Sequence, residues 1–154
     1  MGRRTGAVLV SLLLLLTLAV SASAAAVKMT VGVRFWRESG DKESMADSAV
    51  DTTREATLTR QPNGTFTLEL PVKQLSSMNM TGCLTGIAIG EVNYDGTLSG
   101  DLSDGTAVLT RKNLPASVLT GSDSSKALAV TCSIKMDTIL LGDITTSAKM
   151  SIWV

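Results

Sequence analysis

The sequence predicts an all-β protein: an immunoglobulin-like antiparallel β-sandwich of about eight strands, preceded by a signal peptide. Two stretches, Val27–Phe35 and Leu128–Met136, place apolar residues at every second position, the mark of strands with one dry face and one wet face. Turn chemistry recurs between such stretches, at Ser39-Gly40-Asp41, Pro62-Asn63-Gly64, Asp95-Gly96 and Asp104-Gly105. No window beyond residue 26 repeats apolar residues at helical spacing over several turns. A closed barrel is the competing architecture, and patterning does not separate the two.

The chain opens with Gly2-Arg3-Arg4, an apolar run from Ala7 to Val20, and the small residues Ser21 to Ala26. This is the three-part layout of a secretory signal peptide. Residues 1–24 are expected to be removed at Ala22-Ser23-Ala24, with cleavage as late as 26 at the second small-residue site. The run is shorter than the ~20 apolar residues that cross a bilayer comfortably, so a retained membrane anchor is the weaker reading. The mature domain, 27–154, has about 130 residues, a usual size for one core. No membrane span is expected within it. The precursor carries 14 basic and 14 acidic residues, and losing Arg3 and Arg4 leaves 12 basic, a net charge of −2. Such a domain has no electrostatic pull toward nucleic acid.

After the opening strand, Lys42 to Ala49 reads as a short polar lip presenting Met45 beside Ser44 at a sheet edge, a place for a ligand to touch. Asp51–Arg60 reads as a strand, and Pro62-Asn63-Gly64 turns it into a return strand, Thr65–Val72, with Phe66, Leu68, Leu70 and Val72 on one face. Pro71 ends that strand or places it at an edge. Lys73–Thr81 is a looser connection. Cys83–Tyr94 is extended, with a bulge expected at Gly90 where the parity changes. Gly96–Leu102 and Thr106–Arg111 are short strands, Leu114-Pro115 interrupts, Ala116–Thr120 is a candidate strand and Gly121–Ser125 a loop. Ala127–Met136 leads through Ile139-Leu140-Leu141-Gly142 into a closing strand, Ala148–Val154.

The chain contains no histidine, which removes both the commonest general base and the commonest transition-metal ligand. No nucleophile, base and acid assemble in any motif, so an enzyme is not expected. Asp95, Asp101 and Asp104 are hard oxygen donors suited to calcium, but Asp-Gly turn chemistry accounts for them more simply. Cys83 and Cys132 lie in apolar segments of an exported chain. Either they form a disulfide across the core or they are two small buried thiols. Met45, Met78, Met80 and Met136 offer soft sulfur to haem iron or copper(I). Core filling explains Met136 and adaptable apolar surface explains Met78 and Met80, whereas Met45 on a polar lip is not placed for a core. Trp36 and Trp153 fall on the solvent side of their strands, placed for a binding patch or for packing under a loop.

In strand order, and in the run Lys42-Glu43-Ser44-Met45-Ala46-Asp47-Ser48-Ala49 followed by Ala56-Thr57-Leu58 and Asn63 to Leu70, the chain resembles a NEAT (near-iron-transporter) domain. That resemblance implies an immunoglobulin-like module, secreted or on a bacterial cell surface, that takes haem, a porphyrin-like ligand or a haemoprotein in iron acquisition. It implies that Ser44 hydrogen-bonds a haem propionate and that Met45 packs on the distal porphyrin face. The family's iron ligand is the first tyrosine of a Tyr-x-x-x-Tyr motif on the late hairpin. Here that hairpin reads Lys135 to Asp143 without a tyrosine, and Met136, Ile139, Leu140 and Leu141 are left as an apolar pocket wall. The alternative is a non-haem structural or adhesive sandwich that binds another surface protein or a glycan through its loops.

Overall fold

The opening alternation becomes β1 (Val27–Arg37), in which Val31 and Phe35 are buried while Lys28 and Thr30 face solvent. The computed structural model describes residues 25–77, 79–90, 96–137 and 142–154; the proposed signal peptide lies outside the described residues. The chain continues through β2 (Ala56–Arg60), β3 (Phe66–Pro71), β4 (Leu75–Ser77), β5 (Met80–Ala88), β6 (Gly96–Ser99), β7 (Val108–Leu114), β8 (Leu128–Met136) and β9 (Asp143–Trp153). Every pairing is antiparallel, in the order β4-β5-β8-β9-β1-β2-β3-β7-β6.

β1 joins the two layers. Val27–Val31 pair with β2, whereas Gly32–Arg37 pair with β9 on the opposite edge. The sheet therefore folds over at Val31–Gly32. Leu58, Leu68, Leu70 and Leu109 of one layer and Leu84, Ile134, Met150 and Ile152 of the other are fully buried. Each such side chain contributes on the order of 1.5–3 kcal/mol relative to exposure. The layers also meet at the far side, where β6 approaches β5. A Cβ at Gly96 would sit 2.6 Å from the Thr85 carbonyl oxygen and 3.1 Å from the Gly86 Cα. Arg111, only 3% exposed, crosses there from β7: its Nε donates to the Ile87 carbonyl at 2.7 Å and its Nη1 to the Lys112 carbonyl. The fold is an immunoglobulin-like antiparallel β-sandwich.

Several elements differ from the sequence reading. The described residues form nine strands, and the additional one, β4, lies inside the supposed loose connection; three residues are too few to display an alternation. Asp51–Arg54 is a turn, not the start of β2, because the Asp51 carboxylate accepts the Thr53 N–H at 3.0 Å and the Thr53 hydroxyl at 2.6 Å. The register of β5 slips between Leu84 and Gly86, earlier than the bulge expected at Gly90. Ala116–Val118 is a short 3-10 turn after Pro115 and not a strand. β3 ends at Pro71 but is an interior strand, paired with both β2 and β7. Asp101 and Asp104 each turn one carboxylate oxygen, Oδ1, to the N–H and hydroxyl of Ser103 and Thr106 respectively, and no cluster of metal-binding side chains forms among the described residues. Asp95 lies outside the described residues, as does Met78. No helix among the described residues is long and apolar enough to cross a membrane.

Candidate functional site

The lip is a continuation of β1 folded back on itself. After the turn at 38–41, the Arg37 N–H donates to the Lys42 carbonyl at 2.8 Å and the Ser44 N–H to the Phe35 carbonyl at 2.9 Å. Ser44 then caps a 3-10 helix, Met45–Ala49, its Oγ accepting the Ala46 N–H at 3.3 Å. Ala46 and Ala49 are fully buried; their small side chains let the helix lie close to the strands beneath it, β1 and β5. The Asp47 carboxylate accepts the Phe35 backbone N–H at 2.8 Å. Burial raises its pKa, and the hydrogen bond from Phe35 opposes that rise. The exit is fixed as well, by Lys73 N–H to the Ala49 carbonyl at 2.9 Å and a bridge between Val50 and Val72.

Ser44 is 7% exposed, and among the described residues its hydroxyl proton has no acceptor, so it retains one bond to give. Met45 is half-buried and packs against the core. The expectation that the lip exposes its thioether is corrected in this respect: a 3-10 helix repeats every three residues, so Ala46 and Ala49 face the sheet, and Met45 next to Ala46 is drawn partly inward.

Met136 ends β8 on the inner face, 6% exposed. It pairs with Gly82 of β5, where a Cβ would meet its sulfur at 2.8 Å. Met80 lies two residues from Gly82, and Ile144 pairs with Ile134, so both share that inner face and are partly buried. No residue pattern announces this meeting of Met136 and Gly82, which only the strand register reveals. The hairpin base is held by the Asp137 N–H to the Thr81 carbonyl at 2.8 Å and the Thr81 hydroxyl to Asp137 Oδ2 at 2.7 Å. Ile139, Leu140 and Leu141 lie outside the described residues.

Cys83 and Cys132 are both free. Cys132 pairs with Ile87 and points into the core, while Cys83 pairs with Lys135, whose side faces outward. They occupy opposite faces of one sheet at different levels, so the disulfide alternative gives way to two buried thiols. Burial raises both pKa values, that of Cys132 to about 12. Trp36 packs against a loop in part: its Nε1 donates to the fully buried Ser151 Oγ at 2.9 Å, and that hydroxyl reaches the Asp123 carbonyl at 3.4 Å. The Arg34 guanidinium lies 5.5 Å from the Trp36 ring centroid.

No family model matches this chain, and no curated protein matches it. Solved structures do. The NEAT5 domain of IsdX2, a B. anthracis hemophore, in complex with heme superposes with a TM-score of 0.51 at 10% identity, covering 83% of this chain and 96% of that one. A point mutant of IsdX2-NEAT5, also in complex with heme, gives the same TM-score and identity, covering 83% and 95%. This chain shares their fold. At such identity the likeness extends to strand order and not to the chemistry of individual side chains.

Proposed function

We propose that this chain is a divergent NEAT-like binding module, secreted or held at a bacterial cell surface, which takes haem or a porphyrin-like ligand, free or from a haemoprotein, for iron acquisition. The observation that carries this reading is the fold shared with haem-bound NEAT5, together with a capped 3-10 lip lying against β1 and β5. The residues fit a porphyrin in part. Ser44 has a hydroxyl proton to donate to a propionate and Met45 offers a half-exposed thioether; Met136 is buried against Gly82, and the apolar wall expected of Ile139, Leu140 and Leu141 lies outside the described residues. They do not supply an anionic oxygen ligand for ferric iron. A thioether favours the softer ferrous ion, so binding to reduced haem is the sharper expectation. The reading includes removal of residues 1–24 and no catalytic activity.

Titration of haemin into the protein under oxidising and reducing conditions tests it. A Soret shift larger for ferrous haem and lost in Met45→Ala is expected. No shift in either state overturns the haem reading. The alternative, a non-haem sandwich that binds a protein or glycan, draws on a specific observation as well: Ser44 is buried, and its oxygen is already engaged by Ala46.

A further inference from the structure

Away from the lip helix, a cleft of about 320 Å3 opens where β1 changes neighbours. Val31 is the last residue paired with β2, through Ala56, and Gly32 is the first paired with β9, through Trp153. On the edge facing away from β9, the Phe35 N–H goes to Asp47, the Phe35 carbonyl takes the Ser44 N–H, and the Arg37 N–H goes to Lys42. Strand alternation directs the N–H and C=O of Val33 to this same edge. Neither has a partner there among the described residues. Val33 lines the cleft, leaving one donor and one acceptor side by side in a gap one residue long.

The walls define what fits. On one side is the turn Asp51–Arg54, whose charges are consumed internally: Arg54 Nε meets Asp51 Oδ2 at 2.8 Å, and Arg54 Nη2 donates to the Ala107 carbonyl at 2.7 Å and the Val72 carbonyl at 3.2 Å. Arg34 is paired with Glu43 at 3.6 Å. Glu55, exposed on the cleft wall, takes part in none of the ion pairs among the described residues, so the cleft repels an anion and admits a neutral ligand. On the other side is the half-buried Trp153 indole, seated against Gly32 so closely that a Cβ there would overlap its Cε2. The gap is closed at one end by the β2 pairing and at the other by the lip, so an added strand has no room to run through it. A single planar amide has.

We propose that this cleft binds an N-acetylated aminosugar, its acetamido group pairing with the Val33 N–H and C=O and the apolar face of its pyranose ring lying on Trp153. An amide matches the donor–acceptor pair, and an indole face matches a sugar's C–H face. The proposal does not depend on haem binding, and the two have separate readouts.

The test titrates N-acetylglucosamine and glucose, each to millimolar concentration, into the unaltered protein while backbone amide resonances are followed. N-acetylglucosamine is expected to shift the Val33 amide and the Trp153 indole N–H, and glucose to leave Val33 in place. In Trp153→Ala the affinity for N-acetylglucosamine is expected to fall roughly tenfold. A Val33 amide unmoved by N-acetylglucosamine, or moved equally by glucose, overturns the proposal, and neither result depends on the variant folding.

Discussion

Asp47 holds the backbone N–H of Phe35 at 2.8 Å, twelve residues back along the chain. Through this bond the lip helix takes the place of a neighbouring strand, supplying the donor at the end of β1 with the acceptor that β2 does not reach to provide. Asp47→Ala is therefore expected to leave a buried N–H unpaired and to cost about 1–3 kcal/mol. Asp47→Asn keeps an acceptor oxygen and removes a charge that burial disfavours, so its stability should stay near that of the parent. Urea unfolding of the two variants checks the difference.

The nearest contact between β6 and β5 is backbone on backbone, so in Gly96→Ala a shift of the neighbouring Leu109 side chain would not relieve the clash. The added methyl meets the Thr85 carbonyl oxygen, and either β6 or the β5 bulge must move. The expected loss is about 1–3 kcal/mol. Thermal unfolding measures it, and an unchanged midpoint would mean that the two strands lie further apart than this contact requires.

Acid should act through Asp51. Hydrogen bonds from Thr53 and Arg54 lower its pKa to about 2. A carboxyl whose folded pKa lies below its unfolded one stabilises the protein above the unfolded value, near 4, and that contribution is lost as pH falls toward about 2. Asp47 has the opposite sign, since its pKa is raised. Asp51→Asn is expected to flatten the stability profile between about pH 4 and pH 2, as followed by circular dichroism.

The thiols should be silent in the native state. Cys132 is fully buried, with its pKa pushed up to about 12, and Cys83 is also raised by burial. At neutral pH both are protonated and poor nucleophiles. A thiol reagent is expected to modify neither until the protein is unfolded, and mass spectrometry at about pH 8 with and without urea gives the answer. Because a raised thiol pKa stabilises the fold fully below the unfolded value, near 9, and less as pH climbs toward about 12, alkaline solution should weaken the protein.

Much of the architecture was legible from the residues alone. β1, β2, β3, β8 and the carboxyl-terminal half of β9 follow from alternation bounded by turn residues, because a strand with one buried face must repeat every second residue. β4 was too short to show that signal, and β5 and its bulge were obscured by Gly82 and Gly86, which have no side chain to mark a face. Ser44 and Met45 were singled out by the polar lip that carries them and given roles by a resemblance, but their burial was not legible, since the depth of a lip depends on what lies beneath it. The disulfide question needed strand register: Cys83 and Cys132 both sit in apolar stretches, and only the pairing with Lys135 and Ile87 places them on opposite faces.

The sequence by itself determined most of the strands, the tight turns between them and the absence of histidine chemistry, because alternation and turn preference are written residue by residue. Tertiary structure alone decided that β1 exchanges β2 for β9 at Gly32, that Asp47 completes its edge, and that Val33 faces a cleft beside Trp153. Those relationships join residues far apart in the chain, and distance along a chain carries no record of which edges meet.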